Sequence, residues 1–302
     1  MKISIMGVGC VGSVLAKHLY NLTDGKNIYV IAKGERSQRL LRDGISVNSV
    51  RYNIPIQSEN DGKADLVFVC VKNFDLHQAC LDMMPYVDEN TIIIPLLNSV
   101  SPTPIVKEYF PKNRVLYGYI SKIDAYKDGN GYRYNVPGDI HFGYADNRTI
   151  QPELLPIRNL LNDAGFSAFI DEDMVRGVWK KWMLNVGANQ VSALTEANYL
   201  QFAKIPEIEH VLRLAMQELI QIACYEGVNL STMDVMETIE YLTTYQFPKK
   251  TSMLQDILAH RKTEIDYISG DVLELSRKWN CPCPVNLTMY YLIKAKEKAY
   301  LL

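Results

Sequence analysis

Long hydrophobic runs are missing from this 302-residue chain: its apolar stretches break well before the roughly 20 residues a membrane helix needs. No membrane association is therefore expected, and the first apolar residues read as a strand rather than as a leader peptide, which implies a cytoplasmic location. An excess of one charge is missing too. Lys and Arg number 32 against 34 Asp and Glu, a formal net charge of -2, so the basic footprint of a nucleic-acid binder is not there. The six cysteines, at 10, 70, 80, 224, 281 and 283, form no metal-ligand spacing, and Cys281-Pro282-Cys283 is one residue short of a thioredoxin-like spacer. They are expected to be reduced and structural. No internal repeat, low-complexity segment or flexible linker interrupts the chain. What is left is a composition 48% hydrophobic and 22% charged, able to bury one large core or two smaller ones.

What is present begins at the N-terminus. The apolar run Lys2 to Met6 leads at once into Gly7-Val8-Gly9-Cys10-Val11-Gly12 and an apolar-periodic stretch from Ser13 to Leu22. Strand, glycine turn and helix are the context that gives a GxGxxG motif meaning. The first glycine permits the tight turn, the second lets backbone approach a pyrophosphate, and the third lets helix and strand pack closely. A second strand, Ile28 to Ala32, ends in Lys33-Gly34-Glu35-Arg36, where an acidic residue would hold the ribose hydroxyls of NAD. Lys33 and Arg36 instead suit a 2′-phosphate, which points to NADP(H), with Glu35 between them as a counterweight.

Ala64 to Val71 and Thr91 to Pro95 are continuous apolar runs of the kind found in strands covered on both faces, with a crossover helix over Asp75 to Met84 between them. Val115 to Tyr119 supplies a further strand, and Gly129-Asn130-Gly131 marks a hairpin ending near Phe142. Pro152 to Ala164 reads as a helix closing on Gly165, and Ser167 to Ile170 as a last short strand. After Asp171 only helices are expected: Pro206 to Glu226, Ser231 to Tyr245, Thr263 to Trp279 and Asn286 to Tyr300. The predicted architecture is an α/β N-terminal Rossmann-type domain over residues 1–171, then an all-α C-terminal domain over 172–302. The apolar helix faces of the second half suit burial against one another or against a second copy in a homodimer.

Within that helical half, Lys181, Asn185 and Asn189 are spaced by four and share a face about 80° wide. Around them stand Val175, Trp179, Trp182, Met183, Leu184, Val186 and Ala188, so the stripe is polar in an otherwise apolar helix. Burying an ammonium and two carboxamides without partners costs several kcal/mol, which a chain tolerates where something binds or reacts.

The order GxGxxG, VCVKNFD with Lys72, Asn98, WxKxxxNxxxN and SMLQDILAHRKTEIDYISG resembles the ketopantoate reductase family, the 2-dehydropantoate 2-reductases, over nearly the whole chain. The resemblance implies a small-molecule 2-oxo acid substrate, with NADPH delivering hydride to its ketone carbon. It implies Lys181 as the general acid, and Glu264 as the carboxylate that positions this lysine and contacts the cofactor. Asn185 and Asn189 would hydrogen-bond the substrate's polar groups and Ser252 its carboxylate. Lys72 would lie by the nucleotide, and Asn98 by the nicotinamide and the substrate. For each there is a plainer role: an interhelical amide, a helix cap, a solvated charge or a loop polar residue.

This chain departs from the family pattern at Leu96-Leu97-Asn98-Ser99, where Gln-Asn-Gly is usual, and Ser101-Pro102-Thr103-Pro104 stiffens the next stretch of backbone. Asn135 to His141 replaces a segment that usually carries a histidine before a glycine pair. These differences leave open a different 2-oxo acid, or a nicotinamide-binding sensor without turnover, although a sensor has no need of the Lys-Asn-Asn stripe. Histidine-based chemistry is not expected, since His18, His77, His141, His210 and His260 sit in no motif with a carboxylate. The Tyr-x-x-x-Lys spacing at Tyr290 and Lys294 is placed too late in the chain to serve a nucleotide domain.

Overall fold

Strands whose alternate residues face opposite ways, with both faces covered, set the architecture of the N-terminal half. The chain runs β1 (Ile3–Met6), α1 (Cys10–Thr23), β2 (Ile28–Ile31), α2 (Gly34–Asp43), β3 (Ile45–Val47), β4 (Val50–Tyr52), β5 (Leu66–Val69), α3 (Leu76–Met83), β6 (Ile92–Pro95), α4 (Pro102–Tyr109) and β7 (Arg114–Val115). The computed structural model describes residues 1–244 and 248–300. Strands β2, β1, β5, β6 and β7, in that order, form one parallel sheet. Ile3, Ile5, Leu66, Phe68 and Ile94 join the core that contains Leu15 and Leu19 of α1. Their neighbours Met6, Val67, Val69 and Ile93 join a second core with Leu76, Ala79 and Met83 of α3 and Val106 of α4. Helices on both faces are what a parallel sheet requires. The strand order reverses direction beside β1, a switch point that leaves a crevice at the carboxyl ends.

The remainder of this half comprises β8 (Tyr117–Ser121), β9 (Asp124–Asp128), β10 (Gly131–Val136), β11 (Asp139–Gly143), α5 (Leu154–Asp163) and β12 (Ser167–Phe169). The single strand expected over Val115 to Tyr119 is two strands. The Leu116 N–H donates to the Ile93 carbonyl beside the parallel sheet, and β8 then pairs antiparallel with β11 in a separate sheet ordered β12-β11-β8. The hairpin at Gly129 to Gly131 forms but ends at Val136; residues up to Phe142 belong to β11, after a turn at Gly138 with φ +92°.

This three-stranded sheet corrects the expectation about histidine. Tyr119, His141 and Phe169 are in register across three strands, with ring centroids 4.3 and 5.0 Å apart in stacked pairs. Asp171 lies 2.9 Å from His141 Nδ1 and accepts a hydrogen bond from the Tyr119 hydroxyl at 2.7 Å. His141 is therefore oriented by a carboxylate 30 residues away, a pairing set by strand register that no local motif reveals. Covered on both ring faces, it acts as the middle rung of a cross-strand ladder.

No strand comes after Phe169 among the described residues. The helices are α6 (Met174–Thr195), α7 (Tyr199–Phe202), α8 (Pro206–Tyr225), α9 (Thr232–Thr243), α10 (Ser252–Leu258), α11 (Ile265–Trp279) and α12 (Pro284–Ala299). Tyr245, the expected end of the helix begun at Ser231, lies outside the described residues. Helix α12 starts two residues earlier than expected, because the Glu218 carboxylate on α8 accepts the N–H groups of Val285 and Asn286 and Pro284 fits the first turn. The Trp182 indole donates to the Tyr267 carbonyl at 3.3 Å, joining α6 to α11. Tyr290 and Lys294 both bond Asp266, so their spacing clamps α12 to α11. All six cysteines are free thiols, and burial pushes those of Cys70, Cys80 and Cys283 up to about 12.

Two compact units result. One comprises Met1–Leu97 and Ser101–Val175; the other comprises Asn98–Val100 and the chain from Arg176 onward. The three residues that leave the end of β6 thus belong with the helices.

Candidate active site

In the first unit the glycine motif has the geometry its spacing predicts. Gly7 has φ +93°, and a Cβ there would meet the backbone of Cys70 and Val71 beyond β5 within 3.0 Å. A Cβ on Gly12 would fall on the Gly7 carbonyl oxygen, whereas one on Gly9 would meet nothing within 4 Å. Helix α1 begins at Cys10 with Gly9 as its cap, a residue with no side chain to offer an acceptor. Open space at Gly9 and a helix N-terminus that follows it directly are what an anionic phosphate uses.

Lys33 and Lys72 come after the carboxyl ends of β2 and β5, the strands on either side of β1. Lys33 caps α2 and pairs with Asp82 on α3 at 3.2 Å, its side chain half exposed. Asp82 carries no signal in the sequence. Arg36 stands exposed in the first turn of α2.

In the second unit the stripe on α6 contrasts with its neighbour. Arg176 and Lys180 reach the buried Asp234 at 2.6 and 3.2 Å, and Lys180 also pairs with Glu237. Lys181, one position on, is half-buried and makes no ion pair among the described residues. Burial first, and then the positive charge of Lys249, lower its pKa from the usual lysine value to about 8. Both act against the ammonium form. Lys249, three residues before Ser252, stands in no motif that the sequence offers.

Asn185 and Asn189 are 5% and 6% exposed. Asn185 Nδ2 lies 3.5 Å from Asn98 Oδ1, a long contact. Asn189 Oδ1 accepts from the Ser252 hydroxyl at 3.3 Å and the Met253 N–H at 3.4 Å. The cap of α10 is Thr251, whose hydroxyl accepts from Leu254, so Ser252 is not needed for that role. Glu264 is buried at the start of α11, not a solvated surface charge. Lys181, Asn185 and Asn189 therefore share one face, with Ser252 tied to it by a hydrogen bond and Asn98 beside it at 3.5 Å.

Ser99 resolves the departure after Leu97. It is not at positive φ, so the turn uses backbone angles open to any residue. Its hydroxyl donates to Asp271 on α11 at 2.5 Å. Pro102 is the first residue of α4, where its missing N–H costs nothing.

Residues 3–147 match the family model described as Ketopantoate reductase PanE/ApbA, and residues 173–297 match that of its C-terminal part. The chain is similar to the 2-dehydropantoate 2-reductase of Halobacterium salinarum, 24% identical over 308 residues with 99% of each covered. Similar solved structures include D-mandelate dehydrogenase with NADH and anilino(oxo)acetate, at TM-score 0.89, 22% identity and 100% of each chain. They also include a PanE/ApbA family ketopantoate reductase from Ralstonia eutropha JMP134, at TM-score 0.85, 23% identity and 100% of each chain. At such identities the structural likeness speaks for the fold, and the two family matches, which together span most of the sequence, carry the assignment. The chain belongs to the ketopantoate reductase family of oxidoreductases.

Proposed function

We propose that the protein is an NADPH-dependent reductase of 2-dehydropantoate, forming pantoate for pantothenate and coenzyme A synthesis. The observation that carries this reading is Lys181: a half-buried lysine without an ion pair among the described residues, with its pKa lowered to about 8, on a face shared with two buried asparagines. NADPH, when bound, supplies a hydride to the ketone carbon. Lys181 stabilises the oxyanion that develops and donates the proton that completes the alcohol. Asn185, Asn189 and Ser252 orient the substrate through neutral groups that do not compete for that proton. In this scheme Glu264 positions Lys181 and contacts the cofactor, Asn98 lies by the nicotinamide and the substrate, and Lys72 serves the nucleotide.

The loop from Gly7 to Gly12 and the start of α1 fit a pyrophosphate. Lys33 and Arg36, at the start of α2, fit a 2′-phosphate. The exposed Lys33–Asp82 pair is worth at most about 1 kcal/mol, so it does not prevent Lys33 from turning to a dianion. Replacing Lys33 and Arg36 together by glutamine is expected to raise KM for NADPH about tenfold or more and KM for NADH less than about twofold. Equal changes for the two cofactors would remove these residues from 2′-phosphate recognition.

The lysine also fixes a pH dependence. Its ammonium form is the acid, so reduction should be full below its pKa and fall as pH rises through about 8. A profile of kcat for ketone reduction at saturating substrate checks this; activity level to about pH 10 contradicts the acid role. The identifying experiment is initial rates of NADPH oxidation with ketopantoate beside other branched and aryl 2-oxo acids. Strong preference for ketopantoate supports the reading. Preference for another 2-oxo acid keeps the chemistry and replaces the substrate, the outcome for which Ser99, in place of the usual glycine, gives a reason.

A further inference from the structure

We propose that Ser99 and Asp271 are positioning residues for substrate, acting through Asn98; the inference rests on the reductase reading above. Asn98–Val100 is a three-residue excursion flanked on both sides by the α/β unit, yet it clusters with the helical unit. A segment so short needs an anchor to stay there. The Ser99 hydroxyl supplies one, donating to Asp271 Oδ2 at 2.5 Å, with Ser99 5% exposed. A hydrogen bond to a carboxylate in such surroundings is among the stronger kinds.

The acceptor sits where it can set the frame of the site. Glu264, at the start of α11, Tyr267 and Asp271 succeed one another at helical spacings of three and four, so they lie along one side of that helix. Tyr267 accepts the Trp182 indole of α6 through its carbonyl, which fixes α11 against the helix bearing Lys181, Asn185 and Asn189. Asp271 ties Ser99, and with it Asn98, to the same frame. The Asn98 carboxamide lies 3.5 Å from Asn185 on α6. Where a glycine would leave the turn loose, the serine combines an ordinary backbone conformation with an anchor.

The test uses full-length Ser99→Ala, Asp271→Ala, the double variant and Asp271→Asn, the last retaining an oxygen acceptor. For the preferred 2-oxo acid, each alanine variant is expected to raise KM about tenfold, with kcat and KM for NADPH within about twofold. The double variant should be no worse than the more impaired single, because both changes break one interaction. Asp271→Asn should recover most of the loss. Independent of turnover, amide hydrogen exchange at residues 97–101 should quicken in both alanine variants while α6 exchanges as before. Additive effects, an equal rise in KM for NADPH, or unchanged exchange at 97–101 overturns the proposal. A wild-type protein that reduces no 2-oxo acid sinks the reductase reading instead, and the exchange result still decides whether Ser99 and Asp271 anchor the segment.

Discussion

Lys181→Ala is expected to lower kcat for ketone reduction by about 10³-fold while NADPH affinity stays within about twofold, since positioned proton transfer contributes roughly 10² to 10⁴ and the substitution also removes charge stabilisation of the oxyanion. The neighbouring Lys180 is the control. It is held by Asp234 and Glu237, so Lys180→Ala should change Tm rather than kcat. A second readout separates the acid role from a packing role. The unfolded lysine titrates near 10.5 and the folded one near 8, so between those values the unfolded chain binds more protons and stability rises with pH. Below about pH 8 the folded protein carries the full cost of the buried ammonium, up to roughly 3 kcal/mol, since a tenfold change in proton affinity corresponds to about 1.4 kcal/mol. Lys181→Met, similar in length and uncharged, should therefore be inactive and yet more stable at neutral pH. Turnover near wild type in either variant, measured with the same 2-oxo acid, removes Lys181 from the chemistry. An unstable Lys181→Met would show that the ammonium is paired in solution.

Most of the nucleotide half is legible in the sequence because its signals are local. The apolar runs at 64–71 and 91–95 need both faces covered, and the spacing of Gly7, Gly9 and Gly12 between a strand and a helix is a local signal, although part of the crowding at Gly7 and Gly12 comes from Cys70 and Val71. The stripe on α6 is legible for the same reason, since helical periodicity alone puts Lys181, Asn185 and Asn189 on one face. Pairings between residues far apart in sequence are not legible. Asp82 meets Lys33 across two helices, Asp171 meets His141 through strand register, and Asp271 meets Ser99 over 172 positions. Each involves a carboxylate that looks like an ordinary surface charge until the partner element is known. Lys249 escapes because its effect on Lys181 is a matter of distance through space, and its neighbour Lys250 makes the pair read as a solvated basic stretch. The strand expected over Val115 to Tyr119 divides for a related reason: a break of one residue, at Leu116, sends the chain from one sheet to another, and the nearby Gly118 lies inside β8 rather than at the break.

Gly9→Ala and Gly12→Ala should fail in opposite ways, and the contrast tests the nucleotide site without reference to the substrate. At Gly9 the backbone is extended, with φ -81° and ψ -158°, and a methyl group meets nothing within 4 Å. The change costs up to about 1 kcal/mol at a helix cap, so Tm should move by a few degrees at most, while NADPH affinity should fall at least about tenfold because the methyl occupies the path by which phosphate approaches the backbone. At Gly12 the methyl would fall on the Gly7 carbonyl oxygen and press on Cys70 at 3.1 Å, and neither is the far end of a flexible chain. Backbone of the turn must shift, at roughly 3 kcal/mol or more, so Tm should drop by several degrees and NADPH binding should be lost with it. Thermal melts and NADPH titration of the two variants distinguish the roles. Wild-type NADPH affinity in Gly9→Ala would falsify the loop as the phosphate site. A stable Gly12→Ala would mean that α1 can move away from β1 at little cost, and the close approach of helix and strand would lose its part in forming the site.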